Sequence, residues 1–198
     1  MTINELNTLI IEWAKERELD TKGTVEAQSI KTVEELSELI KAICKDNKED
    51  IIDSIGDVYV TLVIGNMLDS NWNLDKVHES MEICFNEKVI ENCKTLNKIS
   101  ILDKLATRIE QILGLKYVPS LLYDITRNLI EIAHNYDLDF VDCVESAYNT
   151  IKDRHGKLVD GMYIKDEDLA DAVIKEFDNE FANAIAKGIT DSFANDLY

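Results

Sequence analysis

The sequence predicts an all-α fold in which amphipathic helices pack as a bundle. Residues that break helices are scarce, since the 198 residues include one proline and seven glycines. Leu, Ile, Glu, Lys and Ala are abundant, and these residue types favour helices. Runs of alternating polar and apolar residues, which are typical of half-buried strands, are hard to find. Apolar residues make up 45% of the chain, so a packed core is expected rather than disorder.

The predicted helices can be placed in order along the chain. The first spans residues 3–18 and carries Leu6, Ile10 and Trp13 on its apolar side. A loop at 19–24 contains a glycine and follows that helix. Further helices are predicted at 25–45, 49–68, 74–93, 101–113, 119–135 and 138–153, and a last one from 166 to beyond 186.

Glycine and proline set several of these boundaries. Gly114 is expected to end the helix before it, because glycine favours helix C-termini. Pro119 is expected to begin the next helix, because proline suits the first turn. Residues 154–160 are predicted to form a basic loop that contains glycine.

Charge and composition argue against several kinds of partner. A net charge of −18 opposes non-specific binding to nucleic acid. The opening MTINELNTLI lacks the pattern of a signal peptide, and the longest apolar run, near 58–68, is too short to span a membrane. The cysteines contain no CxxC pair, which predicts reduced core residues at Cys44, Cys84, Cys93 and Cys143. A cytoplasmic protein without nucleic-acid or membrane partners is expected.

Two pairs of acids are the most informative residues. Glu35 and Glu38 lie three apart in TVEELSELIKAI, and Asp53 and Asp57 lie four apart in DIIDSIGDVYVTLVI. Each spacing places both carboxylates on one face of a helix. A turn near Asn47 would form a helical hairpin, with Glu38 and Asp57 both about 14–15 Å from that turn.

Four acids that converge between packed helices require a positive partner. Oxygen ligands with no His or Cys nearby suit a hard cation, Mg²⁺ or Mn²⁺. Acids on solvated helix faces are common in so acidic a chain, and this is the simpler explanation. The apolar residues that surround Asp57, in VYVTLVIG, instead predict a largely buried helix.

The second half of the chain resembles a copy of the first. WNLDKVHESMEICFNE aligns with YDLDFVDCVESAYNTI, and Asp57 then aligns with Asp124. The other three acids are replaced in the second copy, by Lys104, Thr107 and Ser120. This predicts an internally duplicated pseudo-dimer with one four-helix core and one metal site. We expect a metal-binding half at 1–95, a degenerate half with the basic loop at 96–165 and a C-terminal helix at 166–198.

The pattern VEELSEL, followed by SIGDVYVTL, resembles the MazG-like all-α nucleoside triphosphate pyrophosphohydrolases. Their motif is ExxE, followed by ExxD on the next helix. Glu35 and Glu38 match the first pair, and Asp57 matches the final Asp. Ser54 stands where the motif has Glu, and we take Asp53 as the substitute, since phage-type relatives carry a similar DxIGDVxV form.

A second resemblance lies downstream. AYNTIKDRHGKLVDGMYIKDED is similar to the tail motif of phage MazG-like proteins and to the Gly-rich stretch of the dimeric all-α dUTPases. Its cations would contact phosphates. Other predicted substrate contacts are Gln28 and Lys31 to base and phosphate, and Trp13 by stacking on the base, although Trp13 suits the core equally well. The predicted cations of this motif are Lys152, Arg154, Lys157 and Lys165.

The resemblance implies Mg²⁺-dependent hydrolysis of a nucleoside triphosphate, with a deoxynucleotide favoured, to monophosphate and pyrophosphate. The implied catalytic and metal-binding residues are Glu35, Glu38, Asp53 and Asp57, and one glutamate is expected to be the general base. A homodimer is compatible with this family. Two other functions stay open: a nucleotide sensor without turnover, and an acidic helical module that mimics nucleic acid.

Overall fold

The computed structural model describes residues 1–69 and 72–168. The prediction of an all-α helical bundle is confirmed, with one small two-stranded sheet added. The elements in the described residues are α1 (Ile3–Glu16), α2 (Leu19–Lys22), α3 (Val25–Lys45), α4 (Lys48–Leu68), α5 (Leu74–Cys84), α6 (Glu87–Lys94), α7 (Lys98–Leu115), α8 (Pro119–Asn135), α9 (Phe140–Ile151), β1 (Gly156–Val159) and β2 (Met162–Lys165). Residues 166–168 are helical, and the rest of the predicted C-terminal helix lies outside the described residues.

The chain divides into two compact units. Within the described residues, the first contains Met1–Arg154 and Leu158–Met162, and the second contains His155–Lys157 and residues 163–168. All nine helices from α1 to α9 belong to the first unit. The candidate site lies within this unit.

In the first unit, α3, α4, α7 and α8 pack against one another, and α1 and α9 also bury apolar side chains in the core. Two contacts show that α3 and α7 are antiparallel. Lys98 at the start of α7 forms an ion pair with Asp46 at the end of α3. Tyr117, just after α7, shares a 2.7 Å hydrogen bond with Thr32 near the start of α3. The helices of the two hairpins, α3 with α4 and α7 with α8, therefore pack together, as the predicted four-helix core requires, whereas the pseudo-dimer relation between the two halves stays a prediction.

The central helix is α4, which contacts α3, α9, α1 and α8. Between residues 54 and 66, every side chain except that of Asp57 is buried. By length and composition α4 could cross a membrane, which corrects the expectation that no apolar segment is long enough. Because 72% of its most apolar window is buried inside the structure, α4 has the character of the core helix of a folded domain.

Several predicted boundaries were wrong. Residues 19–24 were expected to be a loop, but α2 forms there and buries Leu19. A single helix over 74–93 was expected, but Asn86 caps α6 through the backbone N–H groups of Lys88 and Val89 and so separates it from α5. Gly114 does not end α7, which continues to Leu115.

The basic loop predicted at 154–160 instead contains β1 and leads into β2. Asp160 and Gly161 join the strands, and both have positive φ, at 50° and 80°. This is the conformation of a two-residue type I′ turn, for which Asp-Gly is a preferred sequence. The backbone carbonyl of Gly161 also accepts a hydrogen bond from the N–H of Thr24, which caps α3.

The four cysteines are not all core residues, contrary to the prediction. Cys93 and Cys143 are buried, whereas Cys44 and Cys84 are exposed, and all four are free of disulfides. Burial raises the pKa of the Cys143 thiol to about 12. This thiol is therefore protonated and unreactive near neutral pH.

Candidate functional site

Three of the four predicted acids, Glu38, Asp53 and Asp57, line a single cleft of about 280 Å³ between α3 and α4. We refer to it as the acidic cleft. Its other lining residues are Lys41, Ala42, Asp50 and Ser54. These three carboxylates therefore lie together between α3 and α4, as their helical spacing predicted.

The turn between α3 and α4 creates the cleft. Asp46 ends α3 in the left-handed conformation, with φ of 52°. The Asn47 side chain then accepts hydrogen bonds from the backbone N–H groups of Glu49 and Asp50 and so begins α4. The chain reverses within these two residues, which confirms the predicted helical hairpin and aligns the acids of α3 with those of α4.

Burial differs among the acids of the acidic cleft. Glu38 and Asp53 are exposed, whereas Asp57 is half-buried and is followed on α4 by nine consecutive buried residues. A low-dielectric wall next to Asp57 strengthens electrostatic interactions there relative to open water. A cation near Asp57 would therefore be held more strongly than one on an ordinary helix surface.

Glu35 lies one turn before Glu38 and is almost fully buried, with a relative exposure of 7%. Its Oε1 forms an ion pair with Lys31 Nζ at 2.8 Å. Its Oε2 is buried and has no hydrogen-bond partner among the described residues. A buried, unsatisfied carboxylate oxygen carries a desolvation cost, so this atom is a natural acceptor for a ligand or a cation.

Lys31 is held by two glutamates. Its Nζ lies 2.8 Å from a carboxylate oxygen of Glu34 and 2.8 Å from one of Glu35. Burial lowers the pKa of Lys31, but the charges and hydrogen bonds of Glu35 and Glu34 outweigh burial, and the pKa is raised. Lys31 is thus a charged partner of Glu35, and its predicted contact with phosphate would require it to leave these carboxylates.

Gln28 and Trp13 are engaged inside the first unit. Gln28 is buried, and its Nε2 donates to the carbonyl of Thr61 at 3.1 Å. Trp13 is 7% exposed, and its Nε1 donates to the carbonyl of Ile151 at 2.8 Å. The guanidinium of Arg17 lies 4.4 Å from the centre of the Trp13 ring. Of the two roles left open for Trp13, its burial matches the core role.

The predicted phosphate-binding cations are divided between the two units. In the first unit, Lys152 Nζ donates to Asn149 Oδ1 at 3.0 Å, and the carbonyl of Arg154 accepts hydrogen bonds from Arg17. Within the described part of the chain, neither Lys152 nor Arg154 lines the acidic cleft. Lys157 in β1 and Lys165 in β2 belong to the second unit. The role of these four residues in binding the triphosphate stays a prediction.

Two charged residues of the acidic cleft, Asp50 and Lys41, were not predicted. Asp50 precedes Asp53 by three residues, and Lys41 follows Glu38 by three, so each shares a helix face with a predicted acid. The same spacing that identified the acids could have identified both. Ser54, which stands where the resembled motif has Glu, also lines the cleft.

The residues of the acidic cleft suit a hard divalent cation by their chemistry. Its candidate donors are carboxylate oxygens, and no His or Cys is among its described lining residues. Among residues 1–69 and 72–168, no three acidic, histidine or cysteine side chains lie close enough to hold one ion together. Binding would therefore require the exposed side chains of Glu38 and Asp53 to turn towards Asp57.

Comparison with known proteins gives one partial match. No protein-family model matches the chain, and no solved structure matches it. The chain is 39% identical over 62 residues to a protein described as an uncharacterized 18.2 kDa protein in the rep-hol intergenic region of Haemophilus phage HP1 (strain HP1c1). The match covers 31% of this chain and 38% of the phage protein. The chain is thus similar to a phage protein over part of its length.

Proposed function

We propose that the protein is a Mg²⁺-dependent nucleoside triphosphate pyrophosphohydrolase that produces a monophosphate and pyrophosphate, with a deoxynucleotide as the favoured substrate. The observation that carries this proposal is the position of Glu38, Asp53 and Asp57 on one cleft beside a buried helix. The resemblance to MazG-like enzymes supplies the reaction. The acidic cleft supplies donors that fit the cation this reaction uses.

Glu38, Asp53 and Asp57 would hold the cation, and the buried Oε2 of Glu35 lies one turn away on α3. When bound, Mg²⁺ would neutralise the triphosphate and favour ionisation of a water molecule. The half-buried position of Asp57 fixes one end of this set, whereas Glu38 and Asp53 are free to adjust. The site thus combines one anchored carboxylate with two adaptable ones.

In the proposed reaction, a water oxygen forms a bond to the α-phosphorus. The bond from that phosphorus to the α,β-bridging oxygen breaks, and pyrophosphate leaves with the electron pair. A carboxylate takes the proton from water. We assign this role to Glu38, because Glu38 lines the cleft whereas Glu35 is ion-paired to Lys31. One carboxylate oxygen of Glu38 would hold the cation and the other would take the proton.

A product assay tests the proposal. The protein is incubated with each common deoxynucleoside and ribonucleoside triphosphate, with Mg²⁺ or with a chelator, in water labelled with heavy oxygen. We expect pyrophosphate, Mg²⁺ dependence and the label in the monophosphate, because attack falls on the α-phosphorus. Release of orthophosphate with a diphosphate would contradict the proposal. Nucleotide binding without turnover would instead indicate the sensor.

A cytoplasmic location fits this function. Triphosphate substrates are abundant in the cytoplasm, and its reducing conditions keep thiols free. The described structure has four free cysteines, of which Cys44 and Cys84 are exposed. Exposed thiols without disulfides are typical of proteins from a reducing compartment.

A further inference from the structure

We propose that Lys41 binds the phosphates of the leaving group, an inference that rests on the proposed pyrophosphohydrolase function. Lys41 lies one turn after Glu38 on α3 and lines the acidic cleft. Among the residues that the structure describes, it is the cation of this cleft. The carboxylates that line the cleft with it are Glu38, Asp50, Asp53 and Asp57.

The ammonium of Lys41 is available, unlike that of Lys31. Within residues 1–69 and 72–168, Lys41 makes no ion pair or side-chain hydrogen bond, although acids line the same cleft. Lys31 is held at 2.8 Å by both Glu34 and Glu35. Lys41 can therefore contact a phosphate without breaking an existing pair, whereas Lys31 must first release two carboxylates.

The charge of the cleft gives Lys41 a specific task. Four carboxylates and one ammonium sum to a formal charge of −3, which repels a polyanionic substrate. Bound cations reduce this repulsion where they sit, and a lysine on the wall adds a mobile point charge that can reach an outer phosphate. The phosphate beyond the breaking bond gains negative charge as pyrophosphate departs. A cation there stabilises the transition state more than the ground state.

A set of matched variants tests this assignment. Lys41→Gln removes the charge, Lys41→Arg retains it, and Lys45→Gln is the control, because Lys45 is an exposed lysine one turn further along α3 that does not line the cleft. For Lys41→Gln we expect at least about a tenfold loss in kcat/KM and a similar weakening of inhibition by inorganic pyrophosphate. Lys41→Arg should retain most of both, and Lys45→Gln should match the wild type. Unchanged melting temperatures would show that the fold is intact.

The outcomes separate this inference from the proposed function. Equal behaviour of Lys41→Gln and Lys45→Gln, with an active wild type, would overturn the assignment of Lys41 and leave the proposed function in place. An inactive wild type would refute the proposed function, and calorimetric titration with Mg²⁺ and inorganic pyrophosphate would then decide on Lys41. Weaker pyrophosphate binding by Lys41→Gln would support its role, and equal binding would refute it.

Discussion

Two helical hairpins of the same core differ in how their acidic residues are paired, although each contains a buried glutamate that is ion-paired to a lysine of the chain. In the first hairpin, formed by α3 and α4, three predicted acids line an open cleft with a single lysine. In the second, formed by α7 and α8, basic side chains of α7 neutralise the acids of α8. Lys104 Nζ lies 2.7 Å from Glu131, and Arg108 lies 3.0 Å from Asp124.

The second hairpin extends this neutralisation into a network. Glu131 also pairs with Arg127 at 3.0 Å, and Arg108 Nε donates to Asn128 at 3.0 Å. Lys104 occupies the position that aligns with Glu35, so an ammonium stands where the first hairpin has a carboxylate. The difference is that the second hairpin pairs its acids with cations of the chain, whereas Glu38, Asp53 and Asp57 of the first hairpin line a cleft in which, under the proposed function, a cation from solution would bind.

The largest expected effect follows from Asp57 and its aligned residue, Asp124. Asp57→Asn should lower turnover by at least about 100-fold, because it removes a proposed metal ligand. Asp124→Asn should leave turnover near the wild-type value, because Asp124 is neutralised by Arg108. The measurement is pyrophosphate release at saturating Mg²⁺. Comparable losses in the two variants would break the distinction between the hairpins.

The next effect concerns how tightly each hairpin packs. A Cβ on Gly65 of α4 would lie 2.0 Å from the Tyr117 ring, which is fully buried and hydrogen-bonded to Thr32. Gly65→Ala should therefore cost about 1–3 kcal/mol in free energy of unfolding. Gly114→Ala in α7 meets no atom within 4 Å and should instead stabilise by about 0.5–1 kcal/mol. Urea denaturation of both variants measures the difference, and a neutral Gly65→Ala would contradict the packing.

A smaller expected effect concerns the lysines that neutralise a buried glutamate in each hairpin. Lys104→Met and Lys31→Met each remove a cation from a carboxylate whose side chain is 9% exposed, Glu131 or Glu35. Each should cost about 1–3 kcal/mol, towards the lower end because both lysines are partly exposed. Mg²⁺ should restore stability to Lys31→Met, because Glu35 lies one turn from Glu38 of the acidic cleft, and not to Lys104→Met. Thermal melts with and without Mg²⁺ test this, and equal responses to Mg²⁺ would count against a metal site near Glu35.

Some of the fold could be predicted to the residue. The bounds of α3 and α8 match the predicted 25–45 and 119–135, because Thr24 caps one helix and Pro119 starts the other. The break at Asn86 was missed, because an apolar pattern continues across it while the cap competes locally. Hydrophobic periodicity predicts which face of a helix is buried. It does not predict where a capping side chain ends one helix and begins the next.

The candidate site also has features that the sequence could predict and features that it could not. Helical spacing predicted that Glu38, Asp53 and Asp57 would lie together, and they line one cleft, but the same spacing did not show that Glu35 lies outside its lining. Spacing could not show that Trp13 donates to the carbonyl of Ile151, 138 residues away. Nor could it show that Lys31 binds Glu35 rather than a substrate, because that depends on side-chain rotamers and burial.

The smallest expected effect is a dependence of stability on alkaline pH that belongs to the first hairpin. The pKa of Lys31 is raised above 10.5 because the attraction of Glu35 and Glu34 outweighs burial. The folded state therefore holds the proton more tightly than the unfolded state, and the stabilisation is fully present below about pH 10.5. It is lost as the pH rises through the folded pKa, and we expect it to amount to about 0.3–0.5 kcal/mol per pair. The measurement is the difference in free energy of unfolding between wild type and Lys31→Met across this range. The same comparison is then made in a protein that also carries Glu34→Gln and Glu35→Gln, in which burial alone would lower the pKa of Lys31. In that protein the contribution of Lys31 to the free energy of unfolding should increase, rather than decrease, as the pH rises. An unchanged direction would show that these two glutamates are not the cause.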